Sequence, residues 1–234
     1  MMAKRAVHAL RSSVLTVATA LAVALLLSSC GEDEGPGMTA AQHNEAGWAS
    51  YNSRDYSGAH SHFSEALGLD PGLTEARLGL AWCSAQQGQH ASALADFNEI
   101  IDTGPDTLVT DAFAGRAVTA LAMESDSVAI ASAESTLARS AKYSFGRHPD
   151  FDWRDLRLVM AQGYFGLAQY ADAQAQVDIL DPDNGLDPAV PASWVVGGNS
   201  YPTYEAALAM EIEWLWSIVG EGGLLSPGRI ALIE

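Results

Sequence analysis

The chain has 234 residues, of which 48% are hydrophobic, and it carries a formal net charge of −17 with only two cysteines. This acidic balance disfavours nucleic acid and anionic lipid surfaces as partners, because a negative surface repels phosphate groups. Two cysteines are too few for a disulfide framework or a zinc knot, and the length suffices for one domain with a hydrophobic core.

A basic head and a short apolar run open the chain. Lys4, Arg5 and Arg11 precede the apolar residues 14–27, and the sequence Leu27-Ser28-Ser29-Cys30 follows. A run of this length is too short for a typical membrane span and is characteristic of a secretory signal. We therefore predict a signal peptide at residues 1–29.

The last four residues of this opening segment resemble the lipobox of bacterial lipoproteins. In that family a diacylglycerol is attached to the cysteine and cleavage leaves it as the first residue, so the resemblance implies lipidation at Cys30 and a stable membrane anchor. The alternative is a plain signal peptide or membrane anchor with an incidental cysteine. Residues 30–234 carry a net charge of −20, because the first 29 residues hold three basic residues and no acid.

A polar stretch follows the cysteine. Residues 31–37 contain no apolar side chain, and we predict a flexible tether over residues 30–38. By resemblance to enterobacterial lipoproteins, the absence of aspartate directly after Cys30 implies the outer membrane, facing the periplasm. The acidic run Glu32-Asp33-Glu34 also resembles surface-export tethers of other bacteria, so surface exposure stays open.

One pattern of small and aromatic residues then occurs twice at a spacing of 34. Around each copy, apolar or small residues recur three and four apart, as one face of a helix requires, and the polar residues 52–55 indicate a tight turn between two helices. Small residues let two helix axes approach closely, and the phenylalanine fills the space beyond them. The matched positions are Gly47, Ala59, Phe63, Ala66 and Asp70-Pro71, then Ala81, Ala93, Phe97, Ile100 and Gly104-Pro105.

This spacing and composition resemble the tetratricopeptide repeat, a helical hairpin that stacks on copies of itself. The resemblance implies an all-α helical solenoid over residues 39–182. Thr39, with Gln42 three residues later, is predicted to form a capping box for the first helix. In the third repeat, Gly115 and Arg116 fall 34 residues after Ala81 and Trp82, but the pattern then becomes irregular. We expect a longer second helix there, from Ser127 to Tyr143, and an irregular loop from Ser144 to Asp152. The four repeats are placed at 39–71, 72–105, 106–149 and 150–182.

The C-terminal part of the chain contains a predicted loop and a predicted helix. Residues 183–202 hold three prolines and two adjacent glycines, which is the composition of a loop. After Thr203, apolar residues recur on one stripe of a helix at Leu208, Ile212, Leu215 and Val219. A repeat array needs a terminal element that covers its last apolar face, so we predict a capping helix and tail at 203–234.

The sequence offers little for catalysis. We find no glycine-rich phosphate loop, no Gly-x-Ser-x-Gly elbow and no His-Glu-x-x-His motif. Cys83 follows Trp82 on an apolar helix, where a buried and inert thiol is expected. We predict no enzymatic activity, no cofactor and no bound metal, and we interpret the histidines after Cys30 as surface residues. These are His43, His60, His62, His90 and His148.

The resemblance implies a binding surface instead. In the tetratricopeptide family the first helix of each repeat lines a concave groove, and the residue after the small position tends to face it. Aromatic and arginine side chains on a rigid face suit a protein or peptide partner. For Trp48 and Trp82, packing between helices is the alternative. The predicted groove residues, including those one turn further along each helix, are Trp48, Tyr51, Asn52, Trp82, Gln86, Arg116, Gln162 and Phe165.

Three functional hypotheses follow. The first is a non-enzymatic, lipid-anchored scaffold of the bacterial cell envelope whose groove holds a protein or peptide. The second is an envelope lipoprotein that binds a small molecule or glycan, suggested by Trp153, Trp194 and Tyr201 near two loops. The third is a self-associating structural module.

Overall fold

The computed structural model describes residues 37–219, and nine α-helices make up most of that range. The predicted signal peptide, Cys30, almost all of the predicted tether and the tail after Val219 lie outside the described residues. The helices are α1 (Ala40–Asn52), α2 (Tyr56–Leu69), α3 (Thr74–Gln86), α4 (His90–Thr103), α5 (Asp106–Ala122), α6 (Asp126–Arg139), α7 (Trp153–Gly166), α8 (Tyr170–Leu180) and α9 (Tyr204–Val219).

The first eight helices form four hairpins, each with a three-residue connection. In every connection one residue adopts the left-handed conformation, which reverses the chain within this short length. These residues are Arg54, Gly88, Glu124 and Ala168, with φ of 64°, 74°, 60° and 56°. They are 34, 36 and 44 residues apart, so they give the length of each repeat directly.

The predicted capping box at the start of α1 is confirmed. The backbone N–H of Gln42 donates to Thr39 Oγ1 at 3.3 Å, and the backbone N–H of Thr39 donates to Gln42 Oε1 at 2.8 Å. Two of the backbone donors that every helix start leaves unpaired are thereby satisfied.

Phenylalanines on the second helices connect consecutive repeats. Phe63 on α2 packs against Gly47 in its own hairpin and against Gly79 in the next, and a methyl group on either glycine would overlap the phenyl ring. Phe97 on α4 packs against Gly115 of the third repeat in the same way. Because Phe63 and Phe97 are completely buried, they join the repeats into one continuous core.

The third repeat differs from its prediction in both helices. α5 has 17 residues against 13 in α3, whereas α6 has 14 residues and ends at Arg139. The predicted extension of the second helix to Tyr143 is therefore wrong, and the extra length lies in the first helix. Since Gly88 and Glu124 are 36 residues apart, Gly115 occupies the position of Gly79 rather than that of Ala81.

Residues 181–203 connect α8 to α9 and contain more structure than a plain loop. A 3₁₀ turn at Pro191–Ser193 precedes strands β1 (Val195–Val196) and β2 (Asn199–Ser200), which pair antiparallel. Gly197 and Gly198, with φ of 57° and 82°, form the two-residue turn between them. Two consecutive left-handed residues match the twist of a β-hairpin, and adjacent glycines adopt them without steric cost.

α9 packs against α7 and α8 and covers the last hairpin, as expected for a capping helix. Leu208, Ile212 and Leu215 are buried in that contact, whereas Trp214 and Ile218 on the outer side are 42% and 50% exposed. Within residues 37–219, every helix is too short or too polar to cross a bilayer.

Candidate partner-binding groove

The structure buries three of the four aromatic residues that the sequence places in the groove. Trp48 and Tyr51 on α1 are each 2% exposed, and Trp82 on α3 is 0% exposed. Because these side chains lie on the first helices of repeats one and two, they form the floor of the expected groove. A segment of the same chain covers these three side chains.

The covering segment is residues 140–152, between α6 and α7, which we call the groove loop. Its backbone closes on itself: the N–H of Trp153 donates to the carbonyl of Tyr143 at 2.8 Å, and that of Phe145 donates to Phe151 at 3.0 Å. The N–H of His148 donates to the carbonyl of Phe145 at 3.0 Å and tightens the tip. These hydrogen bonds close the base of the loop and hold it in one conformation. Its tip lies against α1 and α3.

Two phenylalanines of the groove loop lie on the tryptophans. The ring of Phe145 stacks on Trp82, with centroids 5.0 Å apart and an interplanar angle of 24°, and meets Trp48 edge-on at 5.7 Å. Phe151 contacts the other side of this cluster, 5.5 Å from Trp82. Phe145 is 0% exposed and Phe151 is 1% exposed, so both belong to the core.

Arg147 at the loop tip reaches two acidic side chains of the groove wall. Its guanidinium donates to both carboxylate oxygens of Glu45 on α1, at 3.0 and 2.9 Å, and its Nε donates to Glu75 on α3 at 2.8 Å. It also lies over the ring of Trp48, 5.6 Å from the centroid. Hydrogen bonding to Arg147 lowers the pKa of the Glu45 carboxyl, and hydrogen bonding to Glu45 raises the pKa of Arg147.

Tyr143 connects the base of the groove loop to the third repeat. Its hydroxyl donates to Asp111 Oδ1 on α5 at 2.8 Å, and the side chain is 3% exposed. Burial raises the pKa of Tyr143 well above its usual value and also raises the pKa of Asp111. The groove loop thus contacts the first helices of three successive repeats.

The apolar contacts dominate the attachment of the groove loop. Burying one phenylalanine side chain contributes about 1.5–3 kcal/mol. An ion pair whose members are 31% and 63% exposed, as for Arg147 and Glu45, contributes about 1 kcal/mol or less. The two phenyl rings therefore hold the loop in the groove, and Arg147 mainly fixes its orientation.

The sequence predicted an irregular loop here but not its location. The sequence also did not predict a role for Glu45, Glu75 and Asp111, since nothing distinguishes them from the many other acidic residues of the chain. A usable signal was present in the loop itself, which holds Tyr143, Phe145 and Phe151 within nine residues. Three large aromatic side chains in a connecting segment indicate that the segment packs onto the protein.

Arg116 lies outside the groove, which corrects its predicted position. Its Nε donates to Ser132 Oγ on α6 at 2.9 Å and its guanidinium donates to Asn98 Oδ1 on α4 at 3.1 Å. Both partners lie on second helices. The error follows from the two extra residues of the third repeat, which give Arg116 the position of Leu80; the position of Trp82 is held by Val118.

Among the remaining predicted residues, Gln86 lies beside the aromatic floor, because it lines a small cavity together with Trp82. Phe165 and Gln162 belong to the fourth repeat. Phe165 is half-buried and packs against Tyr170 with ring centroids 5.2 Å apart, as Tyr51 packs against Tyr56 at 5.4 Å. These pairs join the two helices of their own hairpins. Gln86 and Gln162 are half-buried and Asn52 is exposed, and the role of these residues in partner binding stays a prediction.

The aromatic residues that suggested a small-molecule site are used inside the chain. Trp194 donates its Nε1 hydrogen to the carbonyl of Asp187 at 2.9 Å, and Lys142 Nζ lies 3.4 Å above the ring of Trp153. A cavity between α3 and α5, lined by Trp82 and His90 among others, has a volume of about 40 Å³. That volume suits one water molecule, whereas ligand pockets are typically about 300–1,000 Å³.

The structure also places the histidines and the cysteine. His43 and His62 meet with their Nδ1 atoms 3.3 Å apart, a contact across α1 and α2 that the sequence did not suggest. Among residues 37–219, no group of three or more histidine, cysteine or acidic side chains could hold a metal ion. Cys83 is completely buried, and burial raises the pKa of its thiol to about 12, so the thiolate form is negligible near neutral pH.

Stacked helical hairpins with a groove along their first helices and a terminal covering helix define a helical repeat protein of the solenoid class. The family model of the tetratricopeptide repeat matches residues 51–112, from the end of α1 into α5. The chain is therefore similar to the tetratricopeptide repeat family over these residues, and the all-α repeat fold expected from the 34-residue spacing is confirmed.

A solved structure shows the same fold over most of the chain. The tetratricopeptide repeat protein from Parabacteroides merdae ATCC 43184 is 14% identical, with a TM-score of 0.52 over 83% of this chain and 64% of its own. This chain therefore spans less than two thirds of the length of that protein. No curated protein matches the chain.

Proposed function

We propose that the protein is a non-enzymatic, lipid-anchored scaffold of the bacterial cell envelope that binds a protein or peptide through its repeat array. Tetratricopeptide repeats suggest an interaction role in general. The observation that carries the proposal for this chain is the groove of α1 and α3, in which aromatic rings and carboxylates line one wall. Such a wall suits an extended peptide segment better than a small molecule.

The absence of catalysis is part of the proposal. Two carboxyl groups have a pKa raised by burial to about 7, Asp155 and Glu211, and strongly shifted groups are candidates for catalysis. The surroundings of each group account for its raised pKa. Asp155 accepts from the backbone N–H of Asp152 at 2.8 Å in the capping box of α7, and Glu211 lies on the buried side of α9 beside Asp181.

The proposed location rests on the start of the sequence. A basic head, the apolar residues 14–27 and the Leu-Ser-Ser-Cys motif favour lipidation at Cys30, and the residue after it favours the outer membrane, facing the periplasm. The net charge of −20 over residues 30–234 supports a protein rather than a nucleic acid as partner.

Labelling and capture in one experiment test this proposal. The full chain, tagged at its C-terminus, is expressed in a bacterial host with labelled palmitate, and membranes are fractionated. We expect Cys30→Ser to abolish the label, membrane retention and co-purification of an envelope protein. The matched control is Cys83→Ala, which should keep all three. An unlabelled wild-type chain in the cytoplasm would refute the envelope location.

A further inference from the structure

We propose that the groove loop is an intramolecular ligand. The groove then recognises a turn-forming segment with an aromatic residue followed two positions later by arginine, and a partner with that pattern binds only when the loop leaves. This inference rests on the proposed function and names the chemistry of the partner and its control. In the loop, the pattern is Phe145 and Arg147.

The length of the groove loop exceeds what the repeat architecture needs. The connection from α2 to α3 is four residues, and that from α4 to α5 is two, whereas the groove loop between α6 and α7 has 13. Stacking of hairpins therefore does not require this segment. The additional residues reach the groove of distant repeats, since Arg147 and Glu45 are 102 positions apart in the sequence.

The contacts of the groove loop match those of a bound peptide. An aromatic anchor is buried between two tryptophans, and an arginine is held by carboxylates on two helices. The first helix of each of the first three repeats contributes one acidic side chain that accepts a hydrogen bond from the loop: Glu45, Glu75 and Asp111. These three residues form an acidic row. Glu75 and Asp111 are 36 residues apart, which is the local repeat length, whereas Glu45 lies 30 residues before Glu75 and occupies a different position in its repeat.

This acidic row selects the charge of the partner. A segment with arginine gains charge-assisted hydrogen bonds there, whereas an acidic segment would meet carboxylates of like charge. Because most of the chain is strongly acidic, a basic partner is also favoured at long range. The partner is therefore a basic, aromatic peptide segment.

Occupation by the groove loop lowers the apparent affinity for such a segment. Only chains with the loop released can bind, so the apparent dissociation constant rises as the released fraction falls. The tethered loop also competes at an effective concentration of about millimolar. Weakening the loop without altering the groove should therefore tighten binding of a peptide added in trans.

Binding of the loop peptide itself tests the inference. A fluorescent peptide with the sequence of residues 141–152 is titrated with the full chain in mild detergent, and anisotropy is recorded. We expect Arg147→Gln in the protein to tighten binding by up to about fivefold relative to wild type. Arg147 is 31% exposed, so this variant is expected to fold, which circular dichroism checks. The matched control is Arg77→Gln, which removes an arginine paired with Glu99 on α4, outside the groove loop, and should leave binding unchanged.

Charge reversal tests the groove side. Glu45→Lys and Glu75→Lys combined with Arg147→Gln should weaken binding of the natural peptide, and a peptide with glutamate in place of arginine should bind this chain more tightly than the natural peptide does. A folded Arg147→Gln chain that fails to bind the natural peptide at about 1 mM would overturn the inference, because that concentration matches the tethered loop. Peptide binding is independent of Cys30. Failure here therefore leaves the envelope proposal intact, and loss of palmitate labelling leaves the groove result intact.

Discussion

Phe145 stacks on Trp82 with ring centroids 5.0 Å apart, and this contact joins a connecting loop to the second repeat. Trp82 also meets Phe97 of its own hairpin at 5.6 Å and Phe151 at 5.5 Å. One tryptophan thus links a hairpin core with the segment that fills the groove. Stability and partner access depend on the same ring cluster.

Removal of the Phe145 ring should destabilise the protein strongly. Phe145→Ala leaves a cavity among completely buried aromatic side chains, and we expect the free energy of unfolding to fall by about 3–5 kcal/mol. Urea denaturation followed by circular dichroism measures this change. The control is Leu69→Ala, because Leu69 is 58% exposed and its truncation should cost at most about 0.5 kcal/mol. Equal midpoints for the two variants would show that the loop does not belong to the core.

Removal of the Arg147 side chain, which pairs with Glu45 and Glu75, should lower the free energy of unfolding by a smaller amount that depends on salt concentration. Because the guanidinium and its acidic partners are partly exposed, we expect Arg147→Ala to cost about 1 kcal/mol at low ionic strength. At 1 M NaCl the difference from wild type should shrink, since the Debye length there is about 3 Å. Urea denaturation at both salt concentrations provides the measurement. A salt-independent loss would indicate that Arg147 acts through packing rather than charge.

The stability of the protein should fall as the pH rises from 5 to 8. Burial raises the pKa of Asp155 and Glu211 to about 7, whereas unfolded aspartate and glutamate titrate near pH 4. Between these values the folded chain binds more protons than the unfolded chain, so the stabilisation is complete below about pH 4 and is lost as the pH passes 7.

Glu211→Gln isolates one of these groups. The neutral amide removes the charge that wild type carries beside Asp181, so we expect the melting temperature at pH 8 to rise by about 2–4 °C. At pH 4 the variant should match wild type, because both side chains are then uncharged. Thermal melts at the two pH values measure this difference. A variant with the full wild-type pH dependence would exclude Glu211 as its source.

Two helical glycines should respond in opposite directions to alanine. A methyl group at Gly79 would overlap the ring of Phe63, so Gly79→Ala should lower the free energy of unfolding by about 1–3 kcal/mol. Gly68 is exposed and nothing lies within 4 Å of its hypothetical methyl group, so Gly68→Ala should raise it by up to about 1 kcal/mol. Denaturant midpoints compare the pair. Stabilisation by both substitutions would mean that the contact between repeats one and two is loose.

Local sequence patterns predicted the fold well where contacts join residues that are close together in the sequence. Gly47, Phe63 and the capping box of Thr39 and Gln42 act within one hairpin, so their spacing carries the information. Arg116 shows the limit of this reasoning. α5 is four residues longer than α3 and the connection before it is two residues shorter, so the register changes by two residues. No composition signal marks this change, because a longer helix satisfies the same periodicity.

The sequence by itself determined the repeated hairpins, the capping helix and the acidic character of the protein, because helix periodicity, turn residues and charge are local properties. The tertiary structure alone decided that the groove is occupied. The contacts of Phe145 with Trp82 and of Arg147 with Glu45 join distant parts of the chain, and their energy comes from burial and charge pairing in three dimensions. Residues 140–152 by themselves do not indicate that Trp82 and Glu45 are their contact partners.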